Sequence, residues 1–381
     1  MIYHYDYNYK DLLKAPRVAI GPQRLLIATL GVALTHVVFI LSSYLAFAMS
    51  GYQVLDIWQT YGLFPINTGI RLGTFPGLIW LTGIALSLFV FLVTSTSVAR
   101  AVYMHMRDNY FYTSKQCLQF SIKRSKSILV LYLTYLFLIV PFIIGAAVMA
   151  IIGRISWIGE ILNALATLPY IFSGMVLVFI TISMLVSFFL GPAIIATAEE
   201  DGFGAAVRVM HLTWSQPWRM ASYLLLSAIL LIAGMLVFVF VLKIGLIIYS
   251  ILFMPLMHSL APILNNALHL VEVSIGGLDQ TLRGLAGAKG IKMIYLKQHY
   301  PDLDLSTSRE IASSIVYFFL MVAGYMAIGY GQAIISASQV ISYIIYELKL
   351  TTKNLLERAD SEIDEGSEAF EFNILENTKK L

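Results

Sequence analysis

The chain predicts an all-α, polytopic bundle of membrane-spanning helices, and three observations carry that prediction. Of 381 residues, 59% are hydrophobic and only 12% charged, with a mean hydropathy of +0.79; soluble domains carry about a quarter charged residues. The apolar residues gather into runs of the length, roughly 20 residues, that a helix needs to cross a bilayer. The polar stretches between those runs hold their Lys and Arg on alternate sides.

Five spans follow directly, at about 25–49, 78–98, 128–152, 170–195 and 220–241. Lys10, Lys14, Arg17 and Arg24 precede the first. Arg100, Arg107, Lys115, Lys123, Arg124 and Lys126 follow the second, and Arg208 and Arg219 follow the fourth. The opposite loops hold Arg71 and Arg154. Basic residues stay on the cytoplasmic side, so the N-terminus is expected there, with residues 1–24 as a cytoplasmic segment. Those first residues lack the apolar core and small-residue cleavage site of a signal peptide, so the first span is expected to act as its own insertion signal.

Beyond Val241 two topologies fit. In one, 244–310 packs at the far membrane face and 311–346 forms one long sixth helix. In the other, 246–272 crosses and 311–346 is a hairpin turning near Gly329-Tyr330-Gly331, which gives eight spans. Five basic residues in 276–310 favour eight. Pro255, Pro262, Asn265 and Asn266 favour six, because a lipid-exposed span bears them at a cost. Six is the expectation. Either way the membrane domain covers 25–350, and an acidic tail, 351–381, is cytoplasmic.

The stretch EEDGFGAAVRVMHLTWSQPWR, 199–219, interrupts the apolar sequence. On a helix, Phe203, Val207, Met210 and Trp214 form one apolar stripe at i, i+4, i+7, i+11. The segment is too short to span, so it is expected to lie in the interface as an amphipathic elbow, with Arg219 toward phosphates. A shift of 92 residues brings RDNYFYTSKQCLQFSIKRSK, 107–126, onto it without a gap, pairing Phe111 with Phe203, Leu118 with Met210 and Ile122 with Trp214. The regions 78–152 and 170–242 therefore read as two span–elbow–span units, expected to be related by a pseudo-twofold axis along the membrane normal.

The run 190–220, with Gly191-Pro192, Glu199, Gly204, Ala205, Leu212-Thr213 and Trp218-Arg219, resembles the membrane domain associated with bacterial glycerophosphodiester phosphodiesterases and related stand-alone membrane proteins. YIIYELKL at 343–350 is similar to the final helix of that family. The family's Ser-Trp inside the elbow is replaced here by Val209-Met210. The resemblance covers about half of the chain. It implies a membrane module of the bacterial cytoplasmic (inner) membrane and a link to phospholipid metabolism. The catalytic barrel of such enzymes has no counterpart in this sequence, so no catalytic residue is carried over.

Chemistry is sparse. No P-loop, HExxH or GxSxG motif occurs. The single cysteine, Cys117, excludes an intrachain disulfide and a Cys-rich metal site. A net charge of +3 gives no reason to expect nucleic acid. Glu199, Glu200 and Asp201 sit where acids suit the positive end of a helix. His36 lies inside the first span, where an ionisable group is costly and often functional; with His258 it is the pair to consider as ligands of haem b, the alternative being a structural histidine bonded to a hydroxyl or carbonyl. The hydroxyls Thr94, Ser95, Thr96, Ser97, Ser183 and Ser187 line a polar path or simply pack between helices. The spans hold almost no Asp, Glu, Lys or Arg, which argues against an ion-coupled transporter.

Both ends read as contact segments. Tyr3, Tyr5, Tyr7 and Tyr9 alternate in MIYHYDYNYK, and Phe370, Phe372 and Ile374 alternate in the acidic tail. Three expectations follow. The first is a non-catalytic membrane subunit or scaffold that meets other proteins and membrane lipids through its termini and elbows. The second is a lipid- or small-solute-handling protein, favoured if a cleft opens between repeat units. The third is a redox subunit holding haem or quinone at His36.

Overall fold

The computed structural model describes residues 6–66, 72–278, 303, 305–352 and 354–357. Helices α1 (Tyr9–Leu12) and α2 (Ala15–Ala19) precede the first long helix, α3 (Pro22–Met49). Then come α4 (Val54–Tyr61), α5 (Thr74–Met106), α6 (Ser114–Lys123), α7 (Ser125–Ile152), α8 (Ile158–Leu165), α9 (Thr167–Ala198) and α10 (Gly202–Ser215). The last three are α11 (Pro217–Phe253), α12 (Leu260–Ser274) and α13 (Thr307–Thr351), followed by a 3-10 turn at Leu355–Glu357.

Among the described residues, six helices are long and apolar enough to cross a membrane: α3, α5, α7, α9, α11 and α13. The chain is an all-α polytopic bundle. No turn breaks α13 at Gly329–Gly331, and α12, at 15 residues, packs against α13 and α4 instead of spanning. The fifth span runs twelve residues past its expected end at Val241, to Phe253, because the apolar sequence continues without a helix breaker.

The two expected units share their element boundaries. α5 ends at Met106 and α9 at Ala198; α6 ends at Lys123 and α10 at Ser215; α7 starts at Ser125 and α11 at Pro217, each pair 92 positions apart. Burial follows the same shift. Cys117, Phe120 and Ser121 of α6 are buried, as are Val209, Leu212 and Thr213 of α10. Ile128, Leu131 and Tyr135 of α7 match Met220, Tyr223 and Ser227 of α11. Phe111 falls outside this correspondence, since it precedes α6 and is 94% exposed.

A third unit of similar make-up, assembled from the two ends of the chain, stands beside these two. α13 takes the place of α5 and α9, the α1–α2 pair takes the place of the elbows α6 and α10, and α3 takes the place of α7 and α11. The buried residues Asp11, Leu12, Ala15, Val18 and Ala19 repeat the spacing of Ala205, Ala206, Val209, Leu212 and Thr213. All three elbows fold back along the long helix they belong to. Trp214 meets Phe179, nineteen residues before the end of α9, with ring centroids 5.6 Å apart. Ser121 Oγ donates to Ser97 Oγ on α5 at 2.9 Å. Asn354 Nδ2 donates to Tyr7 Oη at 3.0 Å, whereas Tyr330 Oη, a long way back along α13, donates to the Pro16 carbonyl at 3.1 Å.

The elbows stand against helices with one face and leave the other uncovered. In α10 the buried face is Ala205, Ala206, Val209, Leu212 and Thr213; the expected stripe faces outward, with Phe203, Val207 and Trp214 exposed and Met210 half-buried. Small residues on one side let the helix approach its neighbours, so the bulky stripe is left for the surroundings.

The packing closes as a ring. α5, α9 and α13 touch one another at the centre, and each outer helix lies on the central helix of the next unit: α3 on α5, α7 on α9, α11 on α13. Each of those crossings contains a glycine, Gly31 against Thr94, Gly191 against Leu131 and Gly234 against Ile334. Burial concentrates on the elbow side. From Leu136 of α7, from Ala228 of α11, and up to Phe179 of α9, no residue on the far side is buried, whatever face of the helix it occupies.

Gly329 tests this close packing. A Cβ there would meet the Thr29 backbone of α3 at 2.7 Å, whereas one at Gly324 on the same helix meets nothing within 4 Å. Gly329→Ala is expected to lower stability by about 1–3 kcal/mol through overpacking. Gly324→Ala is expected to be neutral or stabilising by up to about 1 kcal/mol through helix propensity. Thermal unfolding of both variants in the same detergent compares them; equal midpoints would refute the close crossing.

Candidate functional site

The elbow-side ends of α5 and α9 are locked by a buried charge. Arg100, fully buried on α5, donates from Nη1 to the Ala196 carbonyl at 2.9 Å and to Glu199 Oε1 at 3.2 Å. Its guanidinium lies 4.2 Å from the centre of the Phe120 ring of α6. Arg124, at the start of α7, donates to the Glu199 carbonyl at 3.1 Å and approaches its carboxylate at 3.7 Å. Glu199 holds φ +56, the left-handed region that non-glycine residues seldom occupy. One residue thus ends α9 and joins all three elements of the first unit. The three acids have separate duties: Asp201 Oδ1 caps α10 by accepting from Gly204 N at 2.8 Å, and Glu200 pairs with Arg208 at 3.5 Å.

Above this lock the three central helices leave a cavity of about 190 Å³. Its walls are largely apolar, with Phe91 and Leu92 from α5, Phe188 and Pro192 from α9, and Ile335 from α13. Leu88 and Phe189 also line it and are 41% and 45% exposed, so its rim reaches the outer surface of the spans, the surface that a bilayer covers. Pro192 has no N–H to give the Phe188 carbonyl one turn back, which lowers the hydrogen-bond satisfaction of the wall itself.

The polar lining comes from one stripe of α13. Gln332, Ser336 and Gln339 stand at i, i+4 and i+7 and are 5%, 6% and 3% exposed. Gln332 Nε2 donates to Ser95 Oγ at 2.9 Å and to Thr94 Oγ1 at 3.3 Å on α5, while its Oε1 is buried with no partner. Ser336 and Gln339 make no hydrogen bond with any described residue. Buried polar groups are nearly always paired, and what sets this stripe apart is that its side chains line a cavity. Sequence reading found Thr94 and Ser95 as a candidate polar path but missed the stripe on α13. Its signal was there: two glutamines and a serine at helical spacing inside an apolar run.

The expected site residues do not converge on this cavity. His36 Nε2 donates to the Leu63 carbonyl at 2.9 Å, and its Nδ1 bonds Tyr325 Oη at 2.6 Å. A carbonyl only accepts, so Nε2 carries the proton and Nδ1 accepts from the tyrosine. The ring also stacks on Phe64 at 4.3 Å. Both nitrogens are engaged in fastening α3 to α13 and to the 62–66 loop, and His258 lies exposed in the turn after α11. No contact joins the two histidines, and the geometry of His36 is that of a structural residue. Tyr7 is half-buried against Asn354, and Tyr9 is 57% exposed. Arg219 is half-buried and donates to Gln216 Oε1 at 2.7 Å. Tyr3, Tyr5, Phe370 and Phe372 lie outside the described residues.

Comparison of the chain with protein-family models, with curated proteins and with solved structures finds no match. The cavity and its lining are therefore read on their own chemistry.

The lock gives a direct test. Glu199→Ala leaves Arg100 buried without its carboxylate, and is expected to cost about 3–5 kcal/mol or to prevent folding. Glu200→Ala removes a partly exposed pair with Arg208 and is expected to cost at most about 1 kcal/mol. Thermal midpoints and monodispersity in size-exclusion chromatography compare the two; a Glu199 variant as stable as the Glu200 variant would remove the lock from this account.

Proposed function

We propose that this is a lipid- or small-solute-handling protein of the bacterial cytoplasmic membrane, with the cavity among α5, α9 and α13 as its binding site. One observation carries the reading: a largely apolar cavity with Gln332, Ser336 and Gln339 along one side opens on the apolar outer surface of the spans. Ligand sites have this composition, mostly apolar with a few placed polar groups. A space that served packing alone would be filled by side chains at the density of a crystal. The reading assigns binding and passage of a ligand, and no covalent chemistry.

A second reading, a non-catalytic subunit or scaffold, draws on the far halves of α7, α9 and α11, where no residue is buried. Helices of another chain would cover them as well as lipid does. Against it, Tyr7 of the tyrosine-rich start is bonded within its own chain, by Asn354. In both readings the elbow side is cytoplasmic, as the basic residues at the starts of α3, α7 and α11 suggest.

The decisive measurement is native mass spectrometry of the protein released from nanodiscs made with lipids of its own membrane. A retained small molecule, absent after Ala193→Phe fills the cavity, is the expected result. A protein that carries no ligand and emerges with stoichiometric partner chains would replace this reading by the subunit one. Orientation has its own check: a fluorescent protein fused after Leu381 is expected to mature and fluoresce, as it does only in the cytoplasm, whereas alkaline phosphatase placed in the 153–157 loop is expected to be active.

A further inference from the structure

We infer that the cavity selects an uncharged amphiphile whose head bears hydroxyl or amide groups, with Gln332, Ser336 and Gln339 as the residues that set this preference. The inference rests on reading the cavity as a binding site and goes further by naming what it takes.

The first argument is charge. None of the residues lining the cavity is Asp, Glu, Lys, Arg or His. Arg100 follows Ala99 of the wall, but its guanidinium is committed to Ala196, Glu199 and the Phe120 ring. A phosphate, carboxylate or ammonium head would enter without a counter-charge, at a depth where a lone charge is strongly disfavoured.

The second argument is hydrogen-bond capacity. A fully apolar ligand would offer nothing to the Ser336 hydroxyl and the Gln339 amide of the lining. An alcohol or polyol satisfies both sides. Its O–H groups donate to the Gln339 oxygen, and its oxygens accept from Gln339 N–H and Ser336 O–H. Helical spacing places the three side chains along one line, so a head with two or three adjacent polar groups meets them together.

The third argument is size. The space is about 190 Å³ and open at its rim. That holds a glycerol-sized head and the first carbons of a chain, not a whole lipid. The remainder of the chain leaves past Leu88 and Phe189, both exposed on the apolar surface of the spans. A head held by α13 and a tail lying in the bilayer is the arrangement that the lining dictates.

The test uses the full chain in vesicles of phosphatidylethanolamine and phosphatidylglycerol, with three photoreactive probes that share one diazirine-bearing acyl chain. These are a monoacylglycerol, the free fatty acid and a phosphatidylglycerol. After irradiation, labelled peptides are mapped by mass spectrometry. The expected result is labelling by the monoacylglycerol within 88–99 and 188–193, displaced by excess unlabelled monooleoylglycerol and not by oleate. Gln332→Leu combined with Gln339→Leu is expected to weaken that labelling about tenfold or more, as loss of paired buried hydrogen bonds does. Competition in the unaltered protein decides the matter if the double variant fails to fold. Equal or stronger labelling of these peptides by either charged probe would overturn the inference while leaving a binding site. Labelling by none of the three, or only at the far halves of α7, α9 and α11, would overturn both the inference and the site.

Discussion

Three long helices must approach closely enough on one side of the bundle to share a core, and the buried Arg100 holds two of them, α5 and α9, there. Its guanidinium has no water to turn to, so the structure supplies the Ala196 carbonyl, the Glu199 carboxylate and the Phe120 ring within one small volume. Those three groups come from the end of α9, the residue that follows it and the elbow of Arg100's own unit. A charge that needs all of them at once fixes the register of α5 against α9 and the return direction of α6. Glu199 accepts an unfavourable backbone conformation in consequence. α13 closes the triangle from another direction, with Tyr103 on α5 donating to the Leu355 carbonyl at 2.7 Å.

From that fixed side everything else diverges. The elbows refill the spaces between the central helices, and the outer helices each lie on the next unit's central helix. The far halves of α7, α9 and α11 bury no residue, although α11 still lies on α13 there through Gly234 and Phe238. Apolar surface in a bilayer needs no burial against protein, since lipid tails solvate it as well as leucine does. The far side is joined instead by a cap of polar contacts. His36 bonds Leu63 and Tyr325, Tyr44 Oη donates to the Gly62 carbonyl, and Leu63 N donates to the Ser274 carbonyl at 2.8 Å. The proposed ligand site lies between a rigid end and an open one, where central helices held together below begin to part.

The three units are alike in path and unlike in chemistry. At the position where the first unit places Arg100, the second places Pro192, 92 residues on. One supplies the charge that locks the bundle; the other supplies a wall of the cavity. The third unit alone contributes the glutamines. Repetition of the backbone path thus builds the enclosure, and divergence of single residues within it gives the enclosure its polar side.

The six spans, the two elbows and their 92-residue shift were legible from hydropathy and charge, because bilayer thickness and the cost of buried backbone dictate long apolar helices whatever the fold around them. The helix breaks at Met106, Ala198, Ser125 and Pro217 follow local sequence as well. The third unit was not legible. Its elbow and outer helix begin the chain and its central helix ends it, and no linear shift aligns segments whose order is exchanged. His36 stood out by residue type, but its duty depended on Tyr325, 289 positions away, and on Leu63. The stripe of Gln332, Ser336 and Gln339 was written in the sequence as three polar residues in an apolar helix. Whether they faced lipid, core or cavity was decided only when α5 and α9 were brought against α13, since a helix fixes which side chains share a face and its neighbours fix what that face meets.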